Sequence, residues 1–517
     1  MLVVAGTSGC GKTTLIRCIN GLIPRSYKGD VEGKVLLNGQ ATHDFSLAKL
    51  AQIVGTLLQD PEKQILGASV RSEVAFGPEN LGLSRQEVEE RVSEALNRLD
   101  IAYLRDRETF SISGGEKQKV ALAGLLAMRP SILLLDEPLA QLDPVSAREA
   151  LKMFRKLADE GTSILLVEHR VEDVLAVKPD RVMYLKEGEI KYLGSPDDLA
   201  DAVDWREVKL PTAQAIRLIK SSGKVVPPPP PPDHKLRATY AAPAIIFDNV
   251  SFGYNDDPDI IHNISLEIRT GETVAILGPN GVGKSTLIKH AIGLLKPRSG
   301  RVLIDGKDTR ELSVAQIAHT IGYAFQSPSH MLFAPTVTEE LAFGPRNLGH
   351  TQVEIDDSVR ASIGALNLVG LESFSPLALS FGQQKRVTIA CVAAMRSNIL
   401  ALDEPTAGQD FGNYMSFMDS IIHGKTMDSS SKSAIANFDA VLFITHDLDL
   451  AITYASRVIL MADGQVAGDG LPETVLKDYE LLKRCRVVPT SLLDENIRVL
   501  AKTKKFQRIE GLAAVAG

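Results

Sequence analysis

Short runs of aliphatic residues, bounded by glycine, proline and polar clusters, alternate along this chain with stretches of helical periodicity. Ile132-Leu-Leu-Leu135, Val302-Leu-Ile304 and Ile399-Leu-Ala-Leu402 are such runs. Too short for helices and apolar throughout, they read as buried strands. Their alternation with helical segments predicts an α/β fold with mostly parallel sheets. Val225-Val-Pro-Pro-Pro-Pro-Pro-Pro-Asp233 breaks the pattern: it can continue neither a helix nor a central strand, and reads as a polyproline II spacer. The predicted division is a first domain over 1–222, a proline-rich linker over 223–243, a second domain over 244–485 and a helical tail over 486–517.

The two halves repeat one series of polar residues. Lys12, Gln59, Ser113, Asp136, Asp143 and His169 correspond to Lys284, Gln326, Ser380, Asp403, Asp410 and His446. The lysines are offset by 272 residues, each of the next four pairs by 267 and the histidines by 277. A repeat this long outranks chain length as a guide and argues for two large domains. Most of the drift falls in two loops, one at Pro24–Gly33 in the first copy and one around Asp428–Ser433 in the second. The copies also start differently: Ile245 to Leu277 precede the second glycine-rich loop and only Met1 to Ala5 the first. Either the start lies upstream of Met1, with the N-terminal β part of domain 1 and an aromatic equivalent to Tyr254, or this domain is incomplete; the upstream start is the expectation. Leu210-Pro-Thr-Ala213 and Val488-Pro-Thr-Ser491 extend the repeat and suggest a helical appendage on each copy.

Composition narrows the class without deciding it. The chain has 517 residues, 44% hydrophobic and 23% charged, which suits folded domains large enough for substantial cores and argues against wholesale disorder. A net charge of −7 offers no broad electrostatic footprint for nucleic acid. Cys10, Cys18, Cys391 and Cys485 lack metal-ligand spacing and read as free thiols. No run approaches the ~18 consecutive apolar residues of a membrane span, and no charged region with a cleavage site opens the chain.

The chemistry lies in the repeated motifs. Gly6, Thr7, Ser8, Gly9, Cys10, Gly11, Lys12 and Thr13, followed by Thr14, satisfy G-x-x-x-x-G-K-[ST]. So do Gly278, Pro279, Asn280, Gly281, Val282, Gly283, Lys284 and Ser285, followed by Thr286. Each follows an apolar strand and opens a helical segment, so its N–H groups can curl around phosphate oxygens at a helix N-terminus. Lys12 and Lys284 are expected at the β- and γ-phosphates of ATP, and Thr13 and Ser285 at Mg²⁺. Asp136 and Asp403 end apolar strands and are expected to hold the same metal. The next residues, Glu137 and Glu404, are placed to polarise an attacking water. Alternatively, these acids could cap the following helices.

Ser113-Gly114-Gly115-Glu116 resembles the signature of the ATP-binding cassette (ABC) family, with Ser380-Phe381-Gly382-Gln383 as its counterpart. Together with the glutamines, aspartates and histidines above, the resemblance covers almost the whole chain. It implies two P-loop NTPase domains, each with a mostly parallel sheet and a helical signature subdomain, pairing head to tail within one chain. Each signature would cap the γ-phosphate of ATP held by the other domain. Gln59 and Gln326 would serve metal and water, His169 and His446 would act as γ-phosphate switches, and Tyr254 would stack on adenine. Phe381 stands where the family has glycine, so the Lys12 site is expected to be the weaker one.

Gln59-Asp-Pro-Glu-Lys-Gln64, Val74-Ala-Phe-Gly-Pro-Glu-Asn-Leu-Gly82 and Leu341-Ala-Phe-Gly-Pro-Arg-Asn-Leu-Gly349 resemble the ATPase components of energy-coupling factor transporters. Read from its residues alone, Val74–Gly82 is a helix start broken at a Gly-Pro pair. By the resemblance, these segments receive a transmembrane coupling subunit, and a separate membrane subunit binds the cargo: a vitamin, a vitamin precursor or a transition-metal ion. The chain would sit at the inner face of the cell membrane, with no nucleic acid as partner. One rival reading is the ATPase of another duplicated-cassette importer. A second is a soluble tandem cassette acting on ribosomes or nucleic acid. That group usually carries a long charged linker or a cysteine-rich cluster domain, and neither is present in the sequence.

Overall fold

The computed structural model describes residues 1–58, 63–140, 142–222, 243–255, 257–423 and 438–515. Gln59 and the loop around Asp428–Ser433 lie outside the described residues, as does the expected linker 223–243 apart from Pro243. The chain divides into two units, Met1–Leu210 and Pro211–Gly517.

Unit one contains β1 (Leu2–Gly6), β2 (Leu36–Leu37), β3 (Gln40–Ala41), β4 (Val54–Leu57), β5 (Ile132–Asp136), β6 (Ser163–Val167), β7 (Arg181–Lys186) and β8 (Glu189–Gly194). Unit two contains β9 (Pro243–Phe252), β10 (Ile261–Arg269), β11 (Thr273–Leu277), β12 (Ser299–Ile304), β13 (Lys307–Asp308), β14 (Ile321–Ala324), β15 (Ile399–Asp403), β16 (Ala440–Ile444), β17 (Arg457–Ala462) and β18 (Gln465–Gly470). The main sheets share one order, β4-β5-β6-β1-β7-β8 and β14-β15-β16-β11-β17-β18. Each is parallel except for its last, antiparallel pair. Central strands are uniformly apolar because both of their faces are covered, as in β15, every residue of which is buried. Val4, Ile16, Val54, Leu134 and Val167 anchor the first core, and Ile276, Leu287, Ala401, Leu442 and Ile459 the second.

Unit two adds an antiparallel sheet, β10-β9-β12-β13. Among the described residues unit one has only the β2–β3 hairpin, whose register, Leu36↔Ala41 and Leu37↔Gln40, matches Leu303↔Asp308 and Ile304↔Lys307 at an offset of 267. The change of offset from 272 to 267 therefore lies before Leu36.

A helical layer projects from each unit. Val70–Asn80, Arg85–Arg98 and Gly114–Ala127 pack on one another, as do Val337–Asn347, Gln352–Ala365 and Phe381–Ala394. The expected break at the Gly-Pro pairs does not occur: both helices run through Pro78 and Pro345. Each proline falls in the last turns, where it forfeits one intrahelical bond. The preceding glycine lets the helix lie close on its neighbour, since a Cβ on Gly77 would press into Met128, and one on Gly344 into Met395.

Helix Thr212–Ser221 packs within unit two against Ser491–Thr503 and Ile509–Val515. The two Pro-Thr repeats meet there: the Thr212 N–H donates to Ser491 Oγ at 2.8 Å, and Ser491 Oγ donates to Thr212 Oγ1 at 2.9 Å. Fully buried Asn496 donates to Leu492 O and Gln507 O, each at 3.0 Å, and accepts from the Gln507 N–H at 2.6 Å. Among the described residues no helix is long and apolar enough to cross a membrane. Asn496→Leu strands the half-buried Gln507 N–H and should destabilise unit two by about 1 kcal/mol, read as a lowered urea midpoint by circular dichroism.

Candidate active sites

β1 and β11 each feed a glycine-rich loop that opens a helix, Lys12–Ile19 or Lys284–Ala291. Gly6 and Gly278 begin the loops against a neighbouring strand. A Cβ at either position would collide with a carbonyl oxygen, Leu185 O or Met461 O, so no larger residue fits. Both lysines are buried beneath their own loops. Lys12 Nζ donates to Gly6 O at 3.0 Å and Thr7 O at 2.8 Å; Lys284 Nζ donates to Gly278 O at 2.8 Å and Pro279 O at 2.9 Å. Each ammonium is thus held by the main chain of its own loop at a helix N-terminus, a place that attracts phosphate.

Asp136 and Asp403 end β5 and β15 beside these loops. One carboxylate oxygen of each, Oδ1, is buried without a partner among the described residues. Burial, reinforced by the charge of Glu137, pushes Asp136 up to about 6, opposed by the Thr13 hydroxyl and Lys12. Burial likewise raises Glu404; Lys284 opposes the shift and Asp403 adds to it. Glu137 and Glu404 have left-handed backbones, φ 49° and 47°, a conformation costing a non-glycine residue about 1–2 kcal/mol. Main-chain bonds from Glu137 N to Val167 O and from Glu404 N to Ile444 O, each 3.0 Å, hold that turn. His169 Nε2 lies 3.0 Å from Glu137 Oε1, and His446 Nε2 lies 3.0 Å from Glu404 Oε1. His446 Nε2 is also 2.8 Å from Asn280 Oδ1, where the first copy has Ser8. In each unit the structure therefore gathers phosphate loop, aspartate, glutamate and histidine. Gln326 is exposed just beyond β14.

The signature segments cap helices. Ser113 with Glu116, and Ser380 with Gln383, form reciprocal capping boxes at Gly114–Ala127 and Phe381–Ala394. Neither Gly114 nor Phe381 has a positive φ, so the chain itself does not demand glycine there. Any effect of Phe381 is confined to what approaches the helix start. Asp143 and Asp410 accept N–H bonds at the starts of Pro144–Asp159 and Phe411–His423. Tyr254 is 37% exposed, with its hydroxyl 3.4 Å from Thr286 Oγ1 beside the second phosphate loop.

Sequence reasoning passed over several side chains at these sites. Buried Glu168 accepts from the Leu139 N–H at 3.0 Å, the His169 N–H at 2.8 Å and the Arg170 N–H at 3.2 Å. It ties the loop after Glu137 to the histidine, and burial together with the Glu137 charge raises its pKa. The second copy has Thr445 at that place. Lys385 and Tyr323 reach Asp403 in unit two. Glu73 and Glu340, at matching positions of the two repeats, are buried in the helical layers. The shared register of this last pair was the available signal.

The family profile described as ABC transporter matches residues 1–140 and 261–407. The chain belongs to the ABC transporter family. Two matched stretches make it a duplicated cassette that binds and hydrolyses ATP. It is 34% identical to a candidate ABC transporter ATP-binding protein of Caldanaerobacter subterraneus, across 97% of this chain and 91% of that protein. Among solved structures, an RNase-L inhibitor aligns over 89% of this chain and 83% of its own with a TM-score of 0.56; at 20% identity this is likeness of fold alone. Clostridium perfringens cbiO1, part of the ABC transporter complex cbiONQ, aligns at 29% identity over 53% of this chain and 98% of its own, with a TM-score of 0.41. For this ABC ATPase, Glu404→Gln retains the side chain's shape but not its basicity. It should trap ATP and lower steady-state turnover at least tenfold, a floor below the ~10²–10⁴ that a general base supplies. Phosphate-release kinetics should show a smaller loss for Glu137→Gln; unchanged turnover in Glu404→Gln would remove Glu404 from the mechanism.

Proposed function

We propose that this ABC ATPase is the energy-coupling subunit of a membrane importer of the energy-coupling factor type, for a vitamin, a vitamin precursor or a transition-metal ion. The observation that carries this reading is a surface built the same way in both units. Glu73 Oε2 accepts from the N–H groups of Leu66 at 2.8 Å and Gly67 at 2.6 Å; Glu340 Oε2 accepts from those of Phe333 at 2.8 Å and Ala334 at 2.7 Å. Each buried carboxylate folds a loop onto its helix, and loop and helix each carry an apolar side chain in solvent. Leu66 and Phe76 are 72% and 50% exposed, and Phe333 and Phe343, whose rings lie 4.7 Å apart, are 60% and 47% exposed. Paired apolar patches on otherwise polar surfaces suit a protein partner. Exposed Glu79 and Arg346 occupy the same place in the two patches with opposite charge, which fits a partner whose two contact points differ.

Mg²⁺ belongs to this reading. Thr13 with Asp136 and Ser285 with Asp403 supply hard oxygen donors, and their buried unpartnered Oδ1 atoms suit a small divalent cation. The ion would neutralise charge developing on the transferred phosphoryl group. Gln59 and Gln326 would complete these sites, and Tyr254 would stack on adenine. His169 and His446 orient Glu137 and Glu404, which take the proton of the attacking water. Each signature helix start is proposed to cap the γ-phosphate held by the other cassette. Nucleotide then favours closure only by its greater affinity for the closed state, and hydrolysis reopens the pair. In the cell the chain would lie peripherally on the inner face of the membrane.

Reversing both charges, Glu79→Lys with Arg346→Glu, should abolish co-purification with membrane proteins while ATP binding stays within twofold. Retained assembly with intact transport would sink this docking surface, and ribosomal particles in place of membrane subunits would replace the importer reading altogether.

A further inference from the structure

Position by position, the helices Gly114–Ala127 and Phe381–Ala394 are counterparts, yet Gln118 in the first answers to Lys385 in the second at the offset of 267. Lys385 is completely buried. Its ammonium has three N–H donors and finds three acceptors: Phe325 O at 2.9 Å, Gln326 O at 2.8 Å and Asp403 O at 2.9 Å. One side chain thus joins the main chain that carries Gln326 to the end of β15. Around it, Tyr323 Oη donates to Asp403 Oδ2 at 2.7 Å, and the Tyr323 ring meets the Phe325 ring edge-on at 4.6 Å. The first unit has Thr56 and Leu58 at the positions of Tyr323 and Phe325. Among the described residues, Gln118 there donates to Pro138 O, and its own Oε1 is buried without a partner. In the second unit the corresponding carbonyl, Pro405 O, is taken by Gln409 Nε2 at 2.9 Å, leaving Lys385 to the glutamine-bearing loop.

We propose that Lys385 is a positioning residue of the second cassette, a brace that holds the Gln326 main chain against β15 so that Gln326 and Asp403 meet the metal of Mg·ATP already aligned. The first cassette has Gln118 in place of this lysine. A buried ammonium is retained against its desolvation cost only where its acceptors are fixed, so the loop carrying Gln326 is held even without nucleotide. The metal-dependent part of the second site's nucleotide affinity therefore runs through Lys385. This inference rests on the Mg²⁺ assignment given under Proposed function.

The test uses the full chain in a Lys12→Ala background, which silences the first site, and titrates a fluorescent ATP analogue with Mg²⁺ and again with EDTA. Lys385→Gln, which installs the first cassette's own residue, should shrink the metal-dependent gain in affinity at least threefold. Affinity in EDTA should stay within twofold and the melting temperature should hold. Lys385→Met, which keeps the buried stem and leaves no stranded amide, should behave alike if the glutamine variant folds poorly. An unchanged metal-dependent gain overturns the proposal. An equal fall with Mg²⁺ and with EDTA also overturns it, because Lys385 would then merely support the fold. Absence of any metal-dependent gain in the Lys12→Ala parent is a different result: it overturns the Mg²⁺ assignment itself.

Discussion

Both units depend on keeping carboxylates buried at the ends of parallel strands. Asp136, Glu137 and Glu168 cluster in one, and Asp403 and Glu404 in the other, all less than a tenth exposed. Like charges packed this closely in a poor solvent repel one another and favour the protonated state, as the upward shifts of Asp136, Glu168 and Glu404 record. The strands supply the burial that holds the carboxylates there. The neighbouring lysines, Lys12, Lys284 and Lys385, supply the opposing charge. The Mg²⁺ proposed at the unpartnered oxygens would relieve the repulsion.

Because the chain carries the same apparatus twice, each unit serves as the control for the other. Sheet order, phosphate loop, lysine fold-back, left-handed glutamate and histidine contact are common to both. What differs is how the loops around the carboxylates are held. The first unit uses an acid, Glu168, to bind the loop after Glu137 to the histidine segment. The second has a threonine there and uses Lys385 with Tyr323 on the opposite side of β15. With different restraints on equivalent loops, the two sites have no physical reason to act identically.

The helical layers show the reverse case, a shared device whose exposed ends diverge. Glu73 and Glu340 make the same pair of main-chain bonds, and their helices run through the same Gly-Pro pair. The presented side chains change, from Leu66 to Phe333 and from Glu79 to Arg346. A conserved frame with altered surface residues lets one architecture meet two different contacts.

The sequence by itself determined the duplication, the α/β alternation, both phosphate loops and the carboxylates after the apolar strands. Those features depend on residue types at short, fixed spacing: a nest of N–H groups needs its glycines next to its lysine, and a buried strand needs an unbroken apolar run. Only the tertiary structure decided the rest. Lys385 meets acceptors 60, 59 and 18 residues away, Tyr323 reaches across 80 residues to Asp403, and Glu168 across 29 to Leu139. Within a helical pattern a lysine reads as solvated, and its burial becomes visible only once parallel strands, distant in sequence, have set their carbonyl groups side by side. The helices that continue through Pro78 and Pro345 follow the same logic. Local chemistry argues for a break there, and packing against a neighbouring helix outweighs the one hydrogen bond lost.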